Sequence, residues 1–241
     1  MSLLKSLVTT EDIIADSDTL GGYSVLESDV YDLTIEVAFV TYSANKAMAL
    51  NVHFKTVDGK QLRQQFWMTS GEAKGCKNYY ENKQGDKQYL PGFTMANSLC
   101  LLTVGEEISK MNTEPKVINL YDYSVKKEIP TKVDMLIELL GKSVTAGVLK
   151  QIVNKNELDA NTGTYVASSE TRTENEINKL FRQQDGLTIT EIKAAATEPV
   201  FKQKWVEKWK GVTKDKSSAV VANAKPVNNV KTKAPAQNLF A

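Results

Sequence analysis

The chain has 241 residues, 41 % of them hydrophobic and 24 % charged, a balance that excludes collagen-like, disulfide-stapled and intrinsically disordered classes. With 30 basic side chains against 29 acidic ones the net charge is +1, so any affinity for a polyanion has to come from local clustering. Two cysteines, Cys76 and Cys100, cannot build a disulfide framework, and a single histidine, His53, removes the HExxH zinc helix and most histidine-based catalysis.

The segment MSLLKSLVTTEDIIADSD meets acidic residues before an apolar signal core develops, and no stretch approaches the roughly 20 apolar residues that span a bilayer. A reducing, soluble compartment without a membrane partner is therefore expected. Residues 71–77, GEAKGCK, miss the GxxxxGK[ST] spacing of a phosphate loop, and no GxGxxG follows a strand. No cofactor and no catalytic residue is expected.

Residues 30–40, VYDLTIEVAFV, alternate strictly and predict a half-buried strand with Leu33, Ile35, Val37 and Phe39 on one face. Residues 46–56, KAMALNVHFKT, predict a second strand with Met48, Leu50, Val52 and Phe54 inward and Asn51, His53 and Lys55 outward. Asp58-Gly59 tolerates positive φ, so a hairpin leads into QLRQQFWM (61–68), with Leu62, Phe66 and Met68 on one face and Arg63, Gln65 and Trp67 on the other. From 69 to 91 no apolar period exists, and the chain reads as a long loop with a small flap at Gly85-Asp86. Connections beyond about 12–15 residues tend to be functional or disordered, and this one is too aromatic for disorder.

Residues 94–110 predict a helix capped by Thr94, with Met95, Leu99, Leu102 and Ile108 near helical spacing. Strand patterns return in VINLYDY (117–123), VDMLIELL (133–140) and a closing segment at 143–155, with a turn at Gly141-Lys142. A Thr-Gly loop at 161–164 and a short helix, ENEINKLF (174–181), follow. An amphipathic helix in 199–211 carries Val200, Phe201, Trp205, Val206 and Trp209 near one face, with Pro199 in its first turn and Gly211 as its stop. From 212 to 241 five lysines against Asp215, without periodicity, predict a flexible basic tail, which leaves residues 1–211 mildly acidic.

Four parts are thus expected: an N-terminal extension (1–24), a barrel (25–168), a helical segment packing on it (169–211) and the tail (212–241). Strand, strand, strand, helix, strand, strand is the element order of the OB-fold, an order that other small barrels and α+β sheets also give. The expected class is mainly β, an OB-fold-like β-barrel (β-β-β-α-β-β) with C-terminal helices and a disordered tail.

Candidate contacts follow from residue type. Arg63 and Trp67 project from one side of the third strand, and Lys55 from the exposed side of the second. The long loop interleaves Lys74, Lys77, Lys83 and Lys87 with Tyr79, Tyr80 and Tyr89. Cations follow phosphates, while bases stack on rings regardless of sequence, at about 1–3 kcal/mol per base. These ten residues form the expected contact set for single-stranded DNA. Trp205 and Trp209, spaced i and i+4, read first as a packed stripe and second as a partner-docking surface, together with Leu239 and Phe240 at the apolar tip of the tail. Cys76, Cys100 and His53 lack a C-x₂-C pair, so no metal is expected. Asp12, Asp16 and Asp18 lack the basic or histidine partners of a metal-dependent nuclease.

The segment SGEAKGCKNYYENKQGDKQYLPGFTMANSLCLLTVGEEIS, after an FWM strand end, resembles the region joining the third strand to the helix in phage-encoded single-stranded DNA-binding proteins. FKQKWVEKWKG followed by a flexible tail is similar as well, so the resemblance runs over residues 25–211. It implies an OB-fold that coats single strands during phage DNA replication, recombination or repair in the cytoplasm of a bacterial host. Many members of the wider class end in an acidic tail with a terminal aromatic that recruits replication or recombination proteins. Here the tail is basic, and only the tip Asn238-Leu239-Phe240-Ala241 keeps an apolar end. The alternative is a structural, assembly or replisome scaffold protein that works through protein–protein contacts.

Overall fold

Alternating side chains set up the first three strands, β1 (Asp29–Tyr42), β2 (Met48–Thr56) and β3 (Gln61–Trp67), which form an antiparallel meander. The computed structural model describes residues 25–122, 125–158 and 165–218. The expected extension (1–24), the Thr-Gly loop and the tail from 219, including Leu239 and Phe240, lie outside the described residues. Gly59 takes φ 86° in the β2–β3 turn, as the Asp-Gly pair requires.

The strict alternation of β1 does not survive pairing. A register shift between Ile35 and Val37 inserts Glu36 as a bulge, so Leu33, Ile35 and Ala38 face the main core while Val37 and Phe39 turn to the other face. A bulge adds one residue to one strand, which exchanges the two faces beyond it. Phe39 is nevertheless buried, in a second cluster with Val133, Met135, Ile118 and Leu120.

Helix α1 (Pro91–Thr103) begins three residues before the expected Thr94 cap and ends well before residue 110. Pro91 starts it with a preset φ and no N–H to satisfy, and Gly105 (φ 85°) breaks it from a separate 3₁₀ turn at Ile108–Lys110. Ala96, Leu99, Cys100 and Leu102 bury its inner face in the main core.

Strands β6 (Glu114–Asp122) and β7 (Lys127–Met135) form a hairpin that joins β1 only at Phe39↔Met135 and Val40↔Asp134. Short strands β4 (Tyr79–Glu81) and β5 (Lys87–Tyr89) precede α1. The strand expected over 133–140 stops at Met135, and Ile137–Leu139 is a 3₁₀ turn. Leu136 and Leu139, three residues apart, both enter the main core, a spacing that a 3₁₀ turn satisfies and a strand does not.

Strand β8 (Ser143–Leu158) pairs with β9 (Tyr165–Phe181) over nearly its whole length, which overturns the helix expected at 174–181 and places the expected boundary at 168 inside a strand. An isolated eight-residue helix is marginal, whereas the β8 edge supplies β9 with backbone partners. The register shift at Gly147/Val148 passes over Asn178, so Ile177 and Leu180 both enter the main core while Phe181 is buried on the opposite face with Leu149 and Trp205.

A Thr188–Glu191 capping box starts α2 (Ile189–Lys193), and the amphipathic segment forms α3 (Val200–Trp209) as expected. The expected tail does not begin at 212: β10 (Thr213–Asp215) runs parallel to β8 at Lys150–Ile152. Buried Ser28 makes the joint, its hydroxyl donating to Val212 O at 2.6 Å and accepting from Lys150 N at 2.7 Å.

The ladders follow the order β10-β8-β1-β2-β3, with β9 on β8 and the β6–β7 hairpin on β1, and among the described residues they do not close into a barrel. At the seam, Ile177 N donates to the Gln64 side chain at 3.0 Å in place of a β3–β9 ladder. The fold is mainly β, antiparallel, with C-terminal helices. Among the described residues no helix is long and apolar enough to cross a membrane.

Candidate nucleic-acid interface

The outer face of β2 and β3 carries the side chains that alternation sends away from the core. Register places His53 opposite Arg63, Asn51 opposite Gln65 and Ala49 opposite Trp67. Asn51 Nδ2 donates to Thr41 Oγ1 at 2.7 Å and Gln65 Nε2 to Asn51 Oδ1 at 3.0 Å, so a polar ladder runs across β1, β2 and β3. His53 packs edge-on against Phe39 with ring centroids 5.9 Å apart, so it is half-buried where a surface residue was expected. Burial, then the charge of Arg63, holds its imidazole below the usual pKa. Lys55 is exposed but faces Glu36 at 3.4 Å, an internal partner that competes with any phosphate. Arg63 is exposed, and among the described residues it has no carboxylate partner.

The connection from β3 to α1 is ordered by its own backbone. Ser70 N donates to Lys77 O at 2.8 Å and Leu90 N to Asn78 O at 2.9 Å, closing its base. Asn82 Oδ1 accepts from Gln84 N and Asp86 N, both at 2.9 Å, forming the tip of the expected flap. Between base and tip, β4 and β5 pair with Tyr79 opposite Tyr89, Tyr80 opposite Gln88 and Glu81 opposite Lys87.

That register sorts the candidate residues. Tyr79, Lys87 and Tyr89 share one face, where Lys77 Nζ and Lys87 Nζ stand 5.5 and 5.2 Å from the Tyr79 ring centroid. Tyr89 is 63 % exposed and its ring lies 5.0 Å from that of Phe93 in α1. Tyr80 faces the other way and donates its hydroxyl to Gln88 Oε1 at 2.6 Å. Lys83 is exposed at the tip. Trp67, 43 % exposed, lies with Lys74 on a different hollow of about 750 Å³, bounded by Asn45, Ser70 and Pro91. The connection therefore presents two surfaces, the flap face and the Trp67–Lys74 hollow, rather than one continuous set of ten residues.

The sequence reading missed Tyr42, Phe93 and Met111. They line an apolar cleft of about 520 Å³ with Met48 and Met68, and Asn78 belongs both to this cleft and to the flap hollow that holds Tyr79, Lys87 and Tyr89. Only the exposed aromatic at the end of β1, Tyr42, gave a signal in the sequence. Phe93 lies between the expected loop (69–91) and the expected helix (94–110), whereas the structure places it in α1.

Trp205 is 3 % exposed and its Nε1 donates to Asn178 Oδ1 at 2.9 Å, which removes it from any docking surface; Trp209 is half-buried. Cys76 is exposed, whereas Cys100 is buried in α1, where burial pushes its thiol up to about 12. Among the described residues no group of three metal-ligating side chains comes together. No protein-family model matches the chain, and neither does any curated protein.

Proposed function

We propose that this chain is a non-enzymatic, sequence-independent single-stranded DNA-binding protein on an OB-like, partly open sheet, of the kind phages use in DNA replication, recombination or repair. The order β1-β2-β3-α1-β8-β9, with the β4–β5 flap and the β6–β7 hairpin inserted before and after the helix, supports the fold part of this reading. One observation carries the function: two lysine ammoniums flank the Tyr79 ring, beside the exposed Tyr89 of the facing strand. Exposed rings offer faces to unpaired bases, and cations beside them meet the phosphates between those bases. A duplex hides its base faces, so the site selects single strands without reading sequence. For the scaffold alternative, the burial of Trp205 leaves Trp209 as the tryptophan of α3 that could meet a partner.

Fluorescence anisotropy of labelled oligo(dT), oligo(rU) and a duplex of equal length tests the reading. Salt-weakened binding of the single strands, with the duplex much weaker, is the expected result. No single-strand binding at low salt would refute it.

A further inference from the structure

The corner where α3 turns into β10 repeats the chemistry of the flap at a separate place. Trp205 seats α3 on the sheet so closely that a Cβ at Gly147 would fall 2.7 Å from its Cε2. Lys204 and Lys208, four residues apart and both exposed, stay outside that seat. The chain then reverses at Gly211, whose φ is 71° and whose N–H donates to Ser28 O at 2.7 Å, and β10 brings Lys214 back to the helix end. Lys208 Nζ and Lys214 Nζ lie 5.0 and 5.4 Å from the Trp209 ring centroid.

Between Pro199 and Ser218 six lysines stand against Glu207 and Asp215, a net of +4 in a chain whose total is +1. Lys210 and Lys216 are neutralised by Asp29 at 2.9 Å and Glu176 at 2.7 Å. Among the described residues Lys204, Lys208 and Lys214 face no carboxylate within ion-pair distance. Like charges four residues apart destabilise a helix, and a polyanion laid across them relieves that repulsion. The sequence continues the same charge past Ser218 with Lys225, Lys231 and Lys233 and no acidic residue.

We propose that the α3–β10 corner is a second nucleic-acid contact, in which Lys204, Lys208 and Lys214 hold phosphates of a strand that passes Trp209. The inference rests on the reading of the chain as a single-strand binder and lengthens the path of the bound strand beyond the flap. An anionic bilayer shares the phosphate chemistry, but Trp209 is half-buried and flanked by cations instead of projecting as an apolar tip.

The test uses the full chain carrying K204Q/K208Q/K214Q, which removes the three charges, keeps polar side chains and leaves helix propensity at 204 and 208 nearly unchanged. Anisotropy is followed with dT strands of about 8 and about 30 nucleotides, the shorter within the span of one OB-type site. For the longer strand the slope of log affinity against log salt should become shallower by about 2, so the loss relative to wild type shrinks by about tenfold or more between 50 and 200 mM salt. Binding of the shorter strand should be unchanged, which also reports that the variant is folded. In a W67F chain, quenching of the remaining tryptophans by the longer strand only is a second expected result. Unchanged slope and affinity for the longer strand would overturn the corner and leave the flap reading standing. Failure of wild type to bind either strand would overturn both. Loss in the variant of binding to phosphatidylserine vesicles, with strand binding unaffected, would assign the corner to a bilayer and overturn it as well.

Discussion

Gly92, the second residue of α1, has no room for a side chain: a Cβ there would fall 2.1 Å from Trp67 O and 2.7 Å from both Trp67 N and C. All three atoms are backbone, so no rotamer change makes space, and the helix start would have to retreat by roughly 1 Å to reach van der Waals distance. The retreat pulls on Ala96, Leu99 and Cys100, each fully buried. Overpacking costs about 1–3 kcal/mol and more where backbone must move, against a gain of up to about 1 kcal/mol from replacing glycine in a helix. We expect Gly92→Ala to lose about 3 kcal/mol, which at this chain length lowers Tm by roughly 6–12 °C. Gly59→Ala is the control, because it has open space and φ 86° and so carries only the left-handed backbone cost of about 1–2 kcal/mol. Thermal unfolding by circular dichroism compares the three proteins. A Gly92→Ala protein as stable as wild type would refute the contact between α1 and β3, and with it the platform that positions Trp67 and the base of the flap.

Replacing Tyr79 and Tyr89 together by Ala should weaken single-strand binding at least about tenfold, while Tyr80→Ala, on the opposite flap face, should change it by less than about threefold. Equal effects in anisotropy titrations would contradict the division of faces. His53 has a folded pKa held below its unfolded value of about 6.5, so the stability it contributes is present above that pH and is lost as pH falls through the folded value. Urea midpoints should therefore drop less between pH 7.5 and 5.5 in His53→Gln than in wild type, and parallel curves would refute the burial argument. Native protein should react with Ellman's reagent at the exposed Cys76 alone, with Cys100 reacting only after denaturation. Rapid reaction of both thiols in native protein would contradict the packing of α1.

Local pattern alone determined the β1-β2-β3 meander, the Asp58-Gly59 turn, the flap at Gly85-Asp86 and the α3 helix, because each is specified by side-chain period and turn chemistry within a few residues. The lysine and tyrosine content of the flap was equally legible. Its working face was not: only the pairing of Tyr79 with Tyr89 puts those rings on one side with Lys87, and puts Tyr80 on the other. The same holds where sequence reading failed. The bulge at Glu36 depends on β1 pairing with β2 on one side and with β8 and β7 in turn on the other. Residues 174–181 and 213–215 become strands because β8 offers each of them an open edge. A period in the sequence fixes which side chains can share a face; which edge is free to pair, and therefore which faces meet, is a property of strands brought together from distant parts of the chain.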